Sequence, residues 1–142
     1  MSKILIMGLP GSGKTHFASR LQKHLACSWF NADEVRRMSN DWEFSDKARL
    51  RQAERMKRIA DFEALRGATV ICDFICPTKQ TRDIFSANIV IFMDTIKEGR
   101  FEDTNKVFEK PNPKDVTLWI DHFLSDEAIE EMSYCLKDNY NV

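Results

Sequence analysis

The sequence predicts an α/β domain: a five-stranded parallel sheet flanked by helices in three layers. Three observations predict it. Five short apolar runs recur along the chain, each bounded by polar or turn residues. Hydrophobicity within each run is continuous rather than alternating, as in strands covered on both faces. Stretches with helical spacing separate the runs, as crossover helices do in successive βα units. The strands are expected over residues 3–7, 27–30, 69–72, 89–93 and 116–120.

Taken in order, the first run leads straight into Gly8-Leu9-Pro10-Gly11-Ser12-Gly13-Lys14-Thr15, which fits the phosphate-loop pattern G-x-x-x-x-G-K-[ST] at every fixed position. A helix follows at once, with Phe17, Ala18, Leu21 and Leu25 on one face. Strand, loop and helix in that order are the context the motif requires, so the fold class narrows to the P-loop NTPase arrangement. After the second strand, Asn31-Ala32-Asp33-Glu34-Val35-Arg36 reads as a helical turn. The longest helix is capped by Ser45, has Asp46 in its first turn, runs to residue 65 and stops at Gly67. Its apolar stripe is Ala53, Met56, Ile59, Ala60 and Phe62. A short helix is expected after Cys76-Pro77, with the proline in its first turn, and a final one from Ser125 presents Ile129, Met132 and Leu136. Residues 97–114 mix charges with Asn105, Pro111, Asn112 and Pro113 and read as a long functional loop.

At 142 residues the chain makes one domain, 1–142, with no internal repeat. Its 21 basic and 22 acidic side chains give a net charge of −1, which argues against a generic nucleic-acid or membrane-surface binder. Cys27, Cys72, Cys76 and Cys135 lack CxxC spacing, so neither a zinc site nor a disulfide framework is indicated. With a strand starting near residue 3 there is no room for a signal peptide, and no apolar run approaches a membrane span. The expectation is a cytoplasmic protein without a membrane partner.

The loop residues Gly8, Leu9, Pro10, Gly11, Ser12, Gly13, Lys14 and Thr15 are expected to hold a nucleoside triphosphate, the backbone N–H groups forming a concave nest at a helix N-terminus. Lys14 reaches the β- and γ-phosphates, and Thr15 ligates Mg²⁺. In an open parallel sheet, ligands sit beyond the C-terminal strand ends, so the residues just after each strand matter most. Asp33 and Arg36 stand three apart: Asp33 suits an acceptor hydroxyl, and Arg36 an anionic part of the same molecule. The bland alternatives are a helix cap for Asp33 and a surface charge for Arg36. Asp73 and Asp94 each follow a strand and could hold Mg²⁺ through water; Asp73 is the preferred partner of Thr15. Trp42 and Phe44 beside Arg49 could bind a base and its phosphate, or could be core residues. Arg55, Lys57 and Arg58 read as a solvated helix face. Arg82 continues the rim, and Phe101 and Phe108 could close over it.

These features together resemble the adenylyl-sulfate kinase family of P-loop kinases, which transfer phosphate from ATP to the 3′-hydroxyl of adenosine 5′-phosphosulfate. The resemblance runs from Ile4 to about Pro111. It rests on the phosphate loop, Asp33-x-Val35-Arg36, Phe44-Ser45 with Arg49, Phe74-Ile75-Cys76-Pro77 with Arg82, and Phe92-Met93-Asp94-Thr95 leading to Phe101 and Phe108-Glu109-x-Pro111. It implies catalytic roles for Lys14 and Asp33, with Arg36 and Arg49 on the phosphosulfate. It further implies Phe44 and Phe101 around the acceptor's adenine, with Gln52, Ile75 and Cys76 touching the same nucleotide.

Three departures stand out. Asn31-Ala32-Asp33 replaces the family's Asp-Gly-Asp, Cys76 replaces a serine, and the basic lid is shortened to Ile96-Lys97-Glu98-Gly99-Arg100 after Thr95. Lys97, Arg100 and Lys106 are candidates to replace the lost charge. The more open site sustains a second reading, a polynucleotide 5′-hydroxyl kinase or other nucleotide or nucleoside kinase. A third is a nucleotide-binding module without catalysis. The expected partner is a small nucleotide acceptor, adenylyl sulfate being favoured over nucleic acid; a homodimer is left open.

Overall fold

The computed structural model describes residues 2–142. Ile4, Leu5, Ile6 and Met7 have no solvent exposure, so the backbone groups of this run need partners inside the protein. The sheet supplies them. Strand β1 (Ser2–Met7) lies at the centre, parallel to β3 (Thr69–Asp73) on one side and β4 (Ile89–Met93) on the other. Strands β2 (Ser28–Asn31) and β5 (Leu118–Ile120) complete a five-stranded parallel sheet of order β2-β3-β1-β4-β5. The chain's connections diverge to either side of β1, and the crevice at its C-terminal end is where such sheets bind ligands.

Side chains alternate along a strand, so β1 feeds two apolar layers. Ile4 and Ile6 pack with Ile71, Ile89 and Ile91 beneath α1 (Lys14–Leu25) and α6 (Asp126–Tyr140). Leu5 and Met7 pack with Val70 and Cys72 beneath α3 (Asp46–Leu65) and α4 (Lys79–Phe85). The expected stripe on α3 holds for Ala53, Met56 and Ala60, but Phe62 is 70% exposed. It follows Ala60 by two residues, about 200° round the helix at 3.6 residues per turn.

Three boundaries differ from expectation for local reasons. Ala26 adopts a left-handed φ of 50° and Gln22 donates to the Cys27 carbonyl at 3.2 Å, so Cys27 closes the α1 turn and the strand begins at Ser28. The Val116 amide is taken by the Pro113 carbonyl of a 3₁₀ turn (Pro113–Asp115), and sheet pairing resumes where Thr117 N–H donates to Val90 O at 2.8 Å. Pro77 lies outside α4: Thr78 caps the helix, and the Thr78 and Thr81 hydroxyls each accept the other's backbone N–H at 3.1 Å. The stretch 97–114, expected as a loop, contains α5 (Glu102–Val107) as well as the 3₁₀ turn.

Between α2 (Ala32–Ser39) and α3, a short connection carries Trp42 and Phe44 to the crevice. Asp41 pins it by accepting from Arg51 at 2.8 and 3.0 Å and from Arg55 at 3.0 Å. Arg36 donates to the Asp41 and Glu43 carbonyls at 3.1 and 2.9 Å. Arg55, expected on a solvated face, thus belongs to this clamp, whereas Arg58 is solvated. The hydrogen bonds from Arg51 and Arg55 hold the Asp41 carboxyl far below the usual carboxylate range. Its stabilisation is present above the unfolded-state pKa and is lost as pH falls through the folded one. Asp41→Asn should therefore lower the melting temperature at pH 7, and calorimetry should show the gap from the native protein narrowing as pH drops below about 4.

Candidate active site

The phosphate loop bends because three glycines take positive φ: 150° at Gly8, 88° at Gly11 and 94° at Gly13. At Gly8 the constraint is also steric, since a Cβ there would lie 2.7 Å from the Met93 carbonyl oxygen. The loop delivers the chain into α1, whose N-cap is Gly13 with no side-chain cap, so its first amides are left to an anion. Lys14 Nζ lies back along the loop, donating to Gly8 O at 2.9 Å and Leu9 O at 3.0 Å. Desolvation lowers its pKa to about 8, against the opposing pull of Asp73 and Asp33. An uncapped helix start, a glycine cradle and a lysine folded onto neutral carbonyls fit a bound polyphosphate.

Beside the loop, Asp73 is buried at the end of β3, where Trp29 Nε1 donates to it at 2.6 Å and Asn31 Nδ2 at 3.0 and 3.2 Å. Burial raises its carboxyl pKa, opposed by these donors and by Lys14. Thr15 Oγ1 accepts from the same Asn31 amide at 3.3 Å. Hydroxyl and carboxylate oxygens are the hard donors Mg²⁺ prefers. Among the described residues no group of three or more His, Cys, Asp or Glu side chains is placed to hold a metal. A cation beside Thr15 and Asp73 would thus draw its remaining ligands from phosphate and water, as Mg²⁺ commonly does. Asp94 is used elsewhere, accepting from Trp119 Nε1 at 3.0 Å and pairing with Lys110 at 3.4 Å.

Helix α2 is capped by Asn31, whose Oδ1 accepts the Glu34 N–H at 3.1 Å. Asp33 is therefore not the cap. It is exposed in the first turn and lines the same cavity of about 760 Å³ as Lys14 and Thr15. Its charge is felt at Lys14, Arg36 and Asp73. Arg36 and Arg49 line the cavity as well, both buried. Arg49 is braced by Phe44 O at 3.0 Å and Thr104 Oγ1 at 3.2 Å. Burial lowers both guanidinium pKa values. Gln52 shares this face, but its amide is engaged, donating to Ala32 O at 3.2 Å and accepting from Arg55 at 2.6 Å.

Phe44 and Phe101 are 49% and 53% exposed and line this one cavity, where Trp42 joins them at 51%. Trp42 and Phe44 are therefore not core residues. The Arg36 guanidinium sits 4.4 Å from the Phe44 ring centroid, and that of Arg100 lies 5.3 Å from that of Phe101. Ile75 and Cys76 form part of the wall. Cys76 is buried with a left-handed φ of 48°, and burial pushes its thiol up to about 12, so it stays protonated. All four cysteines are free thiols.

Two rim candidates lie elsewhere. Arg82 donates to Cys76 O and Pro77 O, each at 3.0 Å, and to Glu109 O, tying the Cys76-Pro77 bend to the chain beyond α5. Phe108 stacks on Phe92 with centroids 5.9 Å apart. The short lid lies on the loop itself: Thr95 Oγ1 donates to Ser12 O at 2.7 Å, and a Cβ on Gly99 would meet Pro10 at 3.2 Å. A second cavity of about 390 Å³ shares Gly13 and His16 with the first and is otherwise lined by residues such as Phe17, Met93 and Phe123. Sequence reasoning missed Phe123; its only signal was an apolar pair after the last strand.

No helix among the described residues is long and apolar enough to cross a membrane. The family model described as adenylylsulphate kinase matches residues 1–116. The probable adenylyl-sulfate kinase of Aeropyrum pernix is 36% identical over 90 residues, 57% of this chain and 48% of that protein. The match thus spans about half the length of this curated relative. Among solved structures, the Mycobacterium tuberculosis APS kinase in complex with AMPPNP and APS superposes with a TM-score of 0.76 at 19% identity, covering 99% of this chain and 98% of that one. The shikimate kinase of Aquifex aeolicus gives 0.67 at 16% identity, covering 96% and 97%. The structural likeness carries the fold, and the family model, matching most of the sequence, carries the kinship: this chain belongs to the adenylylsulphate kinase family.

Proposed function

We propose that this protein is an ATP- and Mg²⁺-dependent kinase that phosphorylates the 3′-hydroxyl of adenosine 5′-phosphosulfate. The observation that carries the reading is the single cavity of about 760 Å³ that joins the phosphate loop to Asp33, to buried Arg36 and Arg49, and to the half-exposed Phe44 and Phe101. One end is built for phosphates. The other offers aromatic faces for a base and cations for an anion, with a carboxylate between the two ends.

In this reading the donor's phosphates rest on the loop amides, and Lys14 swings from the Gly8 and Leu9 carbonyls onto the β- and γ-phosphate oxygens. The donor's base takes the second cavity beside Phe123. Mg²⁺, when bound, supplies charge neutralisation between the β- and γ-phosphates. Thr15 and Asp73 would hold it, Asp73 through water. Asp33 accepts the acceptor's hydroxyl proton as the oxygen attacks the γ-phosphorus and ADP leaves. Arg36 and Arg49, held in place by backbone carbonyls, hold the phosphosulfate with their remaining donors.

The test is ADP release by the purified protein with adenylyl sulfate, and separately with a 5′-hydroxyl oligonucleotide. The expected result is turnover with adenylyl sulfate that disappears in Lys14→Ala and falls about 10²- to 10⁴-fold in kcat for Asp33→Ala. Turnover with the oligonucleotide alone overturns the acceptor, and nucleotide binding without turnover on either overturns the kinase reading. The pH profile adds an independent check. Lys14 is charged below its pKa of about 8 and neutral above it, so kcat/KM for ATP, which reports the free enzyme, should fall as pH rises past 8.

A further inference from the structure

The Asn31 side chain touches the donor half of the site, the strand-end carboxylate and the acceptor helix together. Its Oδ1 is committed to the Glu34 N–H at 3.1 Å, which fixes which way the carboxamide faces. The amide nitrogen is thereby turned toward Thr15 and Asp73. Nδ2 is 3.0 and 3.2 Å from the two Asp73 oxygens and 3.3 Å from Thr15 Oγ1. Trp29 Nε1 also donates to Asp73 Oδ2, at 2.6 Å, a second donor that holds the carboxylate beside this amide.

From this geometry we propose that Asn31 is a positioning residue that couples the donor site to the acceptor helix: occupation of the phosphate loop, felt at Thr15, orders the first turn of α2 through the Asn31 carboxamide. Asp33 and Arg36 stand two and five positions beyond Asn31, on the helix this residue caps. A carboxylate at position 31 could still cap α2, but it has no hydrogen to offer either Thr15 or Asp73. The coupling therefore needs the amide, and it gives the asparagine a use beyond the absence of a charge. The inference rests on the donor assignment above and is independent of which acceptor is used.

Hydrogen exchange read by mass spectrometry, with and without AMPPNP and Mg²⁺, tests it without any acceptor. The native protein should show slowed exchange in the loop, residues 8–15, and also in α2, residues 32–39, by at least about 5-fold, the lower end of ordinary site-to-site coupling. In Asn31→Ser the serine keeps the helix cap but cannot bridge to Asp73 and Thr15. The loop should still be protected there while the change in α2 falls within about 2-fold of none. Asn31→Thr, a cap residue suited to a strand end, serves if the serine variant does not fold. Loop protection with α2 unchanged in the native protein, or with α2 equally protected in the variant, overturns the coupling alone. An unprotected native loop overturns the donor assignment and the coupling with it. In steady state, the variant should lose kcat about 10-fold or more while KM for ATP stays within about 3-fold, the pattern of an interaction realised in the transition state; a KM change alone contradicts the role.

Discussion

No side chain can stand at Gly8. The first residue after the central strand passes so close to the end of β4 that a single added carbon would sit 2.7 Å from the Met93 carbonyl oxygen. That close passage lets the loop turn back on itself and start α1 without a side-chain cap. The lid segment after β4 then lies on the loop, joined by Thr95 to Ser12, with Gly99 so near Pro10 that an added Cβ would lie 3.2 Å from it. Gly99 is held in turn by both groups of the Asn105 carboxamide, at 2.8 and 2.9 Å. Loop, lid base and α5 thus form one continuous body, and Phe101 is carried to the cavity from it.

The half of the cavity proposed for the acceptor follows a different physical logic. Its buried cations are largely spent on backbone carbonyls, Arg36 on Asp41 and Glu43 and Arg49 on Phe44, as is Arg82 outside the cavity on Cys76 and Pro77. A buried guanidinium needs several acceptors to offset its lost hydration, and irregular connections with unpaired carbonyls provide them. Connections and cations therefore stabilise each other. The planar forks of Arg36 and Arg49 leave further donors facing the cavity, so in the proposed reading the charges that shape the wall also meet an anionic ligand.

The parts of this protein that were legible in its sequence are those written in consecutive residues. The phosphate loop is a local pattern with a local mechanism, and the five apolar runs announce their strands because burial on both faces leaves no room for polar alternation. The placement of Asp33 and Arg36 followed from the rule that strand ends face the ligand. What escaped depends on distant segments converging. Nothing near Arg82 or Phe108 shows that one is consumed by carbonyls and the other by Phe92. Trp42 looked equally suited to core or rim, because the choice is made by the Asp41 clamp, whose arginines lie on the following helix. Asn31 reads in the sequence as a missing carboxylate, because its contacts with Thr15 and Asp73 come from distant segments.

The central claim is that one cavity presents an acceptor hydroxyl, on an adenine nucleotide, to a phosphate held by the loop. A crystal structure with AMPPNP, Mg²⁺ and adenylyl sulfate tests this most directly. The account predicts the acceptor's base between Phe44 and Phe101, its phosphosulfate against Arg36 and Arg49, and its 3′-hydroxyl within hydrogen-bond reach of Asp33. An acceptor bound away from that cavity, or turned so that its sulfate end faces Asp33, would contradict it.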